Sequence, residues 1–524
     1  MFKFKTAALI GLTSFAFSSV AWAVSPAPDG GYAGSNTAEG DDALFSLTSG
    51  LNNTALGFDG LYNNTDGNNN TSTGFRSLRS NTSGSGNVAI GNDALFANTT
   101  GNDNTATGVD ALASNSGDAN TANGSSALAS NTAGSGNTAI GLEALFSNTT
   151  GSSNTATGLR ALDNSTTGNN NTADGFFALS SNTTGSDNTA TGLSALNSNT
   201  TGFDNTANGL NALYSNTIGG DNTATGVEAL FSNTNGGGNT AMGRRALRDN
   251  TTGFSNTANG LEALSDNTIG AGNTATGIVA LASNTSGSNN TATGSGALID
   301  NTTGNENTAD GLAAFNSLTS GSNNIALGSR AGDNLTTGNS NIDIGNQGVA
   351  VESNTIRVGT VGTQTNAYVA GIYGVTVPKG IGVIVDSTGH LGTKGSAERF
   401  KDAIKPMDKA SEAILALKPV TFHYKKELDP ECVPQFGLVA EEVEKVSPDL
   451  VARDDQGKIY TVRYDAVNAM LLNEFLKEHR RVEQQASTIA KQQKEIEGLT
   501  KGLQRVSDEL ELKKSAPRRV ENNQ

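Results

Sequence analysis

A mainly β fold is what this sequence predicts: a long parallel β-solenoid, or β-roll, shaft, then a β connector, then a smaller α+β domain ending in a coiled coil. Three observations carry it. A seventeen-residue unit runs from Asn36 to Asn341, its period gives way to alternating strand patterns between Asn354 and Thr393, and a Lys- and Glu-rich tail past Ser396 closes on a seven-residue apolar repeat. We divide the chain into 1–23 signal peptide, 24–35 leader, 36–345 repeats, 346–395 connector, 396–470 α+β domain, 471–514 coiled coil and 515–524 disordered tail.

The start, Met1-Phe-Lys-Phe-Lys5, is basic and is followed by an apolar run from Ala7 to Val20 and the small-residue site Ala21-Trp22-Ala23. This is the pattern of a secretory signal peptide cleaved after Ala23. The run is shorter than the roughly 20 residues that span a bilayer, so no integral membrane anchor is expected. The mature chain is therefore expected to be secreted or at the cell surface.

The repeat reads Asn-Thr-Ala-x-Gly-x-x-Ala-Leu-x-x-Asn-Thr-x-Gly-x-x, with one slip of sixteen residues between Asn104 and Asn120. A period this strict means stacked, nearly identical coils, each burying small side chains against its neighbours. Asn-Thr-Ala-x-Gly reads as a short strand with Ala inward and Thr outward. The Ala-Leu pair, from Ala43-Leu44 to Ala297-Leu298 and slackening to Ala314-Phe315, reads as a core stripe. The glycines are expected to take the positive φ of tight corners. At 4.7 to 4.9 Å per coil, about 18 coils make a rod on the order of 85 Å, with stacked asparagines hydrogen-bonding along it. Phrasing such as Asn87-Val-Ala-Ile-Gly91 and Asn324-Ile-Ala-Leu-Gly328 resembles the head repeats of trimeric autotransporter adhesins, whose chains wind left-handed parallel β-rolls packed three-fold.

The net charge of -16 sits almost wholly before Ser396, where 12 Lys and Arg face 27 Asp and Glu, against 22 and 23 from Ser396 onward. An acidic shaft argues against nucleic acid or anionic membrane as its partner. The single Cys432 cannot form an intrachain disulfide, and no Cys/His cluster of a metal site exists. His390, His423 and His479 are scattered. No cofactor or metal is expected. Triplets such as Asn148-Thr-Thr150 match glycosylation sequons, but a repeat made of Asn and Thr yields them by chance.

In the connector, Thr355-Ile-Arg-Val358, Ala367-Tyr-Val-Ala370 and Gly382-Val-Ile-Val385 alternate as strands, and Asp386-Ser-Thr-Gly389 reads as a hairpin turn. Beyond it a helix over Ala410 to Leu417 is stopped by Pro419. Val420 to Tyr424 and Lys458 to Val462 read as strands, Gly437 to Glu444 as the start of a helix, and a long helix begins near Asp465. In that helix Phe475, Val482, Ile489, Ile496, Leu503 and Leu510 recur every seven residues, with Leu471, Leu499 and Val506 at the d positions. This is a left-handed coiled-coil heptad, weakened by Gln485 and Gln492 at d and by Gly498 and Gly502.

Chemistry concentrates at Ser396-Ala-Glu-Arg-Phe-Lys401. With Leu417-Lys-Pro-Val-Thr-Phe-His-Tyr424, Gly437-Leu-Val-Ala-Glu-Glu-Val-Glu444, Pro448-Asp-Leu-Val451 and Val462-Arg-Tyr464, it resembles the intramolecular chaperone domain of endosialidases and other phage tail spikes. The resemblance implies a homotrimer, a chaperoned β-fibre and self-cleavage between Gly395 and Ser396. It also implies Ser396 as nucleophile and Lys401 as its base, supported by Arg399 and Glu398. At most this is a single-turnover Ser-Lys peptidase acting on its own chain. One position departs from the family pattern: the residue after the serine is commonly acidic there and is Ala397 here. A lysine is a base only when neutral, which burial or a neighbouring cation promotes.

The leading expectation is a secreted or surface trimeric β-fibre, adhesin-like, matured by its C-terminal domain, with an unidentified ligand for the repeats. Two alternatives stand beside it. Thr-Ala-Thr at Thr105, Thr155, Thr189, Thr223, Thr274 and Thr291 suggests an ice-binding or other repeat-surface protein, although Asn123, Asp174, Met242 and Asp310 break the row. A prophage tail fibre with a non-cleaving trimerisation domain fits the tail but not the signal peptide.

Overall fold

The computed structural model describes residues 32–386, 388–454 and 456–514, so the expected signal peptide, all but the end of the leader and the terminal tail lie outside the described residues. The chain divides after Thr365 into two units.

The first unit is the solenoid. Twenty three-residue strands, β1 (Thr37–Glu39) to β20 (Ile356–Val358), form one sheet in which each strand pairs in parallel with the next coil's strand. The register is one repeat per rung, as in Thr189↔Thr206, Ala190↔Ala207 and Thr191↔Asn208. Each of β1 to β19 buries its middle residue and turns the flanking two outward, while in β20 the middle residue, Arg357, is only half-buried. Ala207, Ala212 and Leu213 of that rung are wholly buried, and the same three columns form a continuous core along the unit. The missing residue at Asn104–Asn120 is absorbed at the Asn115–Gly117 corner, so that Thr105 still faces Thr121.

Two asparagine ladders line the interior, as the repeat predicts. In the first, Asn205 Nδ2 donates to Asn188 Oδ1 at 3.0 Å and to Gly219 O at 2.9 Å, while Asn205 Oδ1 accepts from Asn222 N at 3.1 Å and Nδ2 at 3.0 Å. In the second, Asn216 Nδ2 reaches Asn199 Oδ1 at 2.8 Å. The ladders tie most coils to their neighbours and satisfy amides whose burial would otherwise be costly, but the second is interrupted at Ser165, where Ser165 Oγ and Asn148 Oδ1 have no partner.

The corners differ from the sequence expectation. Gly209 does take a positive φ of +144°, and a Cβ there would also sit 2.5 Å from Gly226 O. Gly202 lies outside the left-handed region; it must be glycine because a Cβ would meet Asn199 Oδ1 at 2.3 Å and Gly219 O at 2.5 Å. Leucine carries much of the bend instead: Leu213 has φ +52° and Asn211 φ +55°. A left-handed L-residue costs roughly 1–2 kcal/mol. Full burial of a leucine is worth roughly 1.5–3 kcal/mol, which holds Leu213 there.

Toward its end the stack changes. Phe315 replaces the stripe leucine and Gly332 stands where the next leucine would be, where even a Cβ would overlap the Phe315 ring. The second ladder ends when Leu318 and Leu335 take the asparagine position, leaving Asn301 Oδ1 without a hydrogen bond. Parallel pairing then continues past residue 345, because β20 stacks on β19 (Ile342–Ile344) through Ile342↔Ile356 and Asp343↔Arg357. Thr355 to Val358, whose alternation reads as connector strand, is thus the last rung.

Asp343 occupies the alanine column of that end, fully buried, with neither carboxylate oxygen hydrogen-bonded. Burial pushes its carboxyl up from 3.8 to about 6; the Glu352 charge adds to the rise and Arg357 opposes it. The folded value lies above the unfolded one, so the protonated acid is the favoured buried form. Asp343 alone costs the last rungs nothing below about pH 4 and up to about 3 kcal/mol as pH rises through 6, whereas Glu352, whose carboxyl the hydrogen bond from Arg357 holds low, acts in the opposite sense at acid pH. Asp343→Ala, restoring the residue of the other rungs, is expected to slow amide hydrogen exchange in β19 and β20 at pH 8 and to change little at pH 4.

The second unit opens with an antiparallel hairpin, β21 (Val383–Val385) and β22 (Leu391–Thr393). Its turn is closed by Asp386 Oδ1, which accepts from Thr388 Oγ1 at 2.7 Å and His390 N at 3.0 Å. A 3-10 helix (Asp408–Ala416) ends before Pro419, and β23 (Val420–Phe422) pairs with β24 (Gln435–Gly437). Then come α1 (Ala440–Val446), the pair β25 (Val451–Arg453) and β26 (Ile459–Val462), and the 51-residue α2 (Tyr464–Lys514). A small core gathers Val443, Leu450, Val451, Val462 and Met470, with Ile414 and Leu417 packed against it. The heptad residues stay outside it: Phe475, Ile489 and Leu503 are 66%, 59% and 71% exposed.

Candidate functional site

The site lies where β22 gives way to the helical part of the second unit. After Thr393 the chain runs without regular structure to Ala397, whose backbone is extended, and then makes a single 3-10 turn, Glu398–Phe400. Phe400 N donates to Ala397 O at 3.0 Å and Lys401 N to Glu398 O at 2.9 Å. This turn folds the lysine side chain back over the serine five residues earlier. Lys401 Nζ and Ser396 Oγ are 2.9 Å apart, within hydrogen-bond reach, as nucleophile and base must be.

The neighbours are arranged by Phe400. Arg399 stacks its guanidinium over that ring, 4.7 Å from the centroid. Gly395 abuts the other end of the motif: a Cβ on it would meet the ring at 3.1 Å, tighter than ordinary van der Waals contact. The sequence reading gives Phe400 no role; its place directly after Arg399 in the motif is the only signal it offers. Ser396, Glu398, Arg399 and Lys401 are all exposed in the single chain, and among the described residues Lys401 makes no ion pair.

Residues 396–452 match the family model described as chaperone of endosialidase. The match begins at Ser396 itself and ends in β25. No curated protein and no solved structure matches the chain. Within the matched segment the motifs fall in one sheet pair and one core: β23 and β24 hold the Val420 and Gln435–Gly437 stretches, and α1 buries Val443.

A second serine and lysine meet where sequence reasoning saw nothing. Ser411, fully buried in the 3-10 helix, accepts from Asn473 Nδ2 at 2.7 Å and Lys477 Nζ at 3.2 Å and bonds Glu474, all three on α2. Here Glu474, 2.6 Å from Lys477 Nζ, holds the lysine in its charged form and raises its pKa. A lysine so paired cannot take a proton; this cluster pins the 3-10 helix to α2.

The histidines stand apart from Ser396. His390 lies beside Asp386 at 3.7 Å, His423 contacts Cys432 O at 2.7 Å, and His479 stacks on Phe475. Among the described residues no three His, Cys, Asp or Glu side chains group to hold a metal ion, and no helix is long and apolar enough to cross a membrane.

Proposed function

We propose that this chain is the subunit of an exported trimeric β-fibre whose C-terminal segment assembles the fibre and then cuts itself free between Gly395 and Ser396. The contact of Lys401 Nζ with Ser396 Oγ at 2.9 Å, on the first residue of the matched segment, carries the reading. In the proposed step Lys401 removes the Oγ proton and the oxygen attacks the Gly395 carbonyl carbon. The Gly395–Ser396 C–N bond breaks, the proton passes to the departing Ser396 nitrogen, and the chain is joined by an ester. Water then hydrolyses that ester to a Gly395 carboxylate and the free Ser396 hydroxyl.

Trimerisation supplies what the single chain lacks. The heptad seam of α2 exposes its apolar residues, and a long helix with such a stripe buries it against copies of itself. A groove of about 690 Å³ lined by Ile414, Leu417, Phe436, Val467 and Leu471 continues that apolar surface onto the small domain. In the proposed trimer a neighbouring copy covers the exposed Lys401, and loss of water favours the neutral amine that abstracts a proton. Cleavage in this reading therefore follows assembly. It is tested by comparing the tail as a dilute monomer with the assembled trimer: equal rates of self-cutting would dismiss the dependence on assembly.

A further inference from the structure

One corner of the solenoid is apolar on its outside. The residues on either side of the strand-end glycine, positions 4 and 6 of the repeat, face solvent. At position 6 stand Phe75, Val109, Phe176, Leu210, Leu261 and Leu312, between 41% and 58% exposed. Where position 6 is polar, position 4 supplies the apolar group: Ile90 accompanies Asn92, Met242 accompanies Arg244, and Leu327 accompanies Ser329. Only the rungs that begin at Asn36, Asn120 and Asn290 have neither. The outcome is an apolar stripe along the unit, on the order of 1,000 Å², beyond what isolated surface residues produce.

We infer that this stripe is the seam along which the shafts of three copies meet, each facing the common axis. The inference rests on the trimeric reading above. In all but those three rungs the stripe presents at least one apolar side chain, at the strand spacing of roughly 4.8 Å. A partner that matches it over so many rungs must share that rise and that periodicity, and the chain's own solenoid does. Three identical copies around one axis place equal rungs at equal height, so each apolar layer meets its own kind. Charge on the stripe itself is confined to Glu39, Asp41, Asp174, Arg244 and Asp310. At position 7, next to the stripe, Arg160 pairs with Glu143 at 2.6 Å and Arg245 with Glu228 at 2.9 Å within one chain, leaving those charges compensated before any copy approaches.

The test uses the full chain with Cys432→Ser and one new thiol. Leu210→Cys puts it on the stripe; Ile218→Cys, 50% exposed, puts it eight residues on, almost half a turn round the same coil. Native mass is measured first, then covalent dimer formation under mild oxidation. The expected result is a trimer in which Leu210→Cys cross-links at least about tenfold faster than Ile218→Cys, because proximity raises the effective thiol concentration. A trimer in which the two sites behave alike, or neither cross-links, overturns the seam and leaves the trimer standing. A monomeric mass removes the trimeric reading itself.

Discussion

Ser396→Ala is expected to leave the chain at full length, where the wild-type protein separates into a shaft and a fragment of 129 residues beginning at Ser396. Losing a nucleophile of this kind lowers the rate on the order of 10⁴-fold or more, which on a denaturing gel is all or nothing. Lys401→Arg discriminates further. Arginine keeps the positive charge and the reach to Ser396 Oγ but does not give up its proton, so a lysine acting as base predicts the same uncut band. Rapid cutting by Lys401→Arg would reassign the lysine to holding the serine in place. Both variants should still trimerise, since neither residue belongs to the α2 seam, and a native mass equal to that of wild type separates lost chemistry from lost assembly. Ala397 makes the wild-type rate itself informative: the family pattern has an acid at this position, and Glu398 is the nearest acidic residue.

Asn205→Ala is expected to break the solenoid in the middle. Four side-chain hydrogen bonds disappear, and the buried Asn222 N–H loses its acceptor, Asn205 Oδ1. Asn188 Oδ1 still accepts from Asn205 N, and Gly219 O still accepts from Asn216 Nδ2. An orphaned buried donor costs about 1–3 kcal/mol, and the lost bonds and the void bring the total to about 3–5 kcal/mol. A stack held by neighbour interfaces concentrates that loss at one rung instead of sharing it. Urea unfolding should therefore split into two transitions. The control is Asn235→Ala, whose side chain is exposed at the coil surface and whose effect should stay within about 0.5 kcal/mol. Equal effects from the two substitutions would show that the ladder contributes no more than a surface amide.

The shaft was legible because its sequence states one local solution many times. Fixed Ala, Leu and Asn positions gave the strand, the core columns and the ladders, since a buried side chain in one coil must be buried in all. The corners were less legible. Glycine was expected to supply the positive φ of the tight corners, and Gly209 does, but Leu213 and Asn211 share that task, because a buried leucine tolerates a strained φ that propensity alone would deny it. The exit from the stack was misjudged for a related reason: β20 pairs with β19 although its spacing departs from seventeen, and period alone cannot see a rung of a different length. At the site, the motif placed Ser396 beside Lys401. It did not announce the 3-10 turn that brings them together, or the Phe400 ring between Arg399 and Gly395, because both arise from the fold of six residues on one another.

The measurement that bears most directly on the account is mass spectrometry of the purified protein, native and then denatured. A native mass of three shafts, each ending at Gly395, with a separate tail beginning at Ser396, is the predicted result. A single uncut chain, monomeric under native conditions, would contradict both the fibre and its self-release.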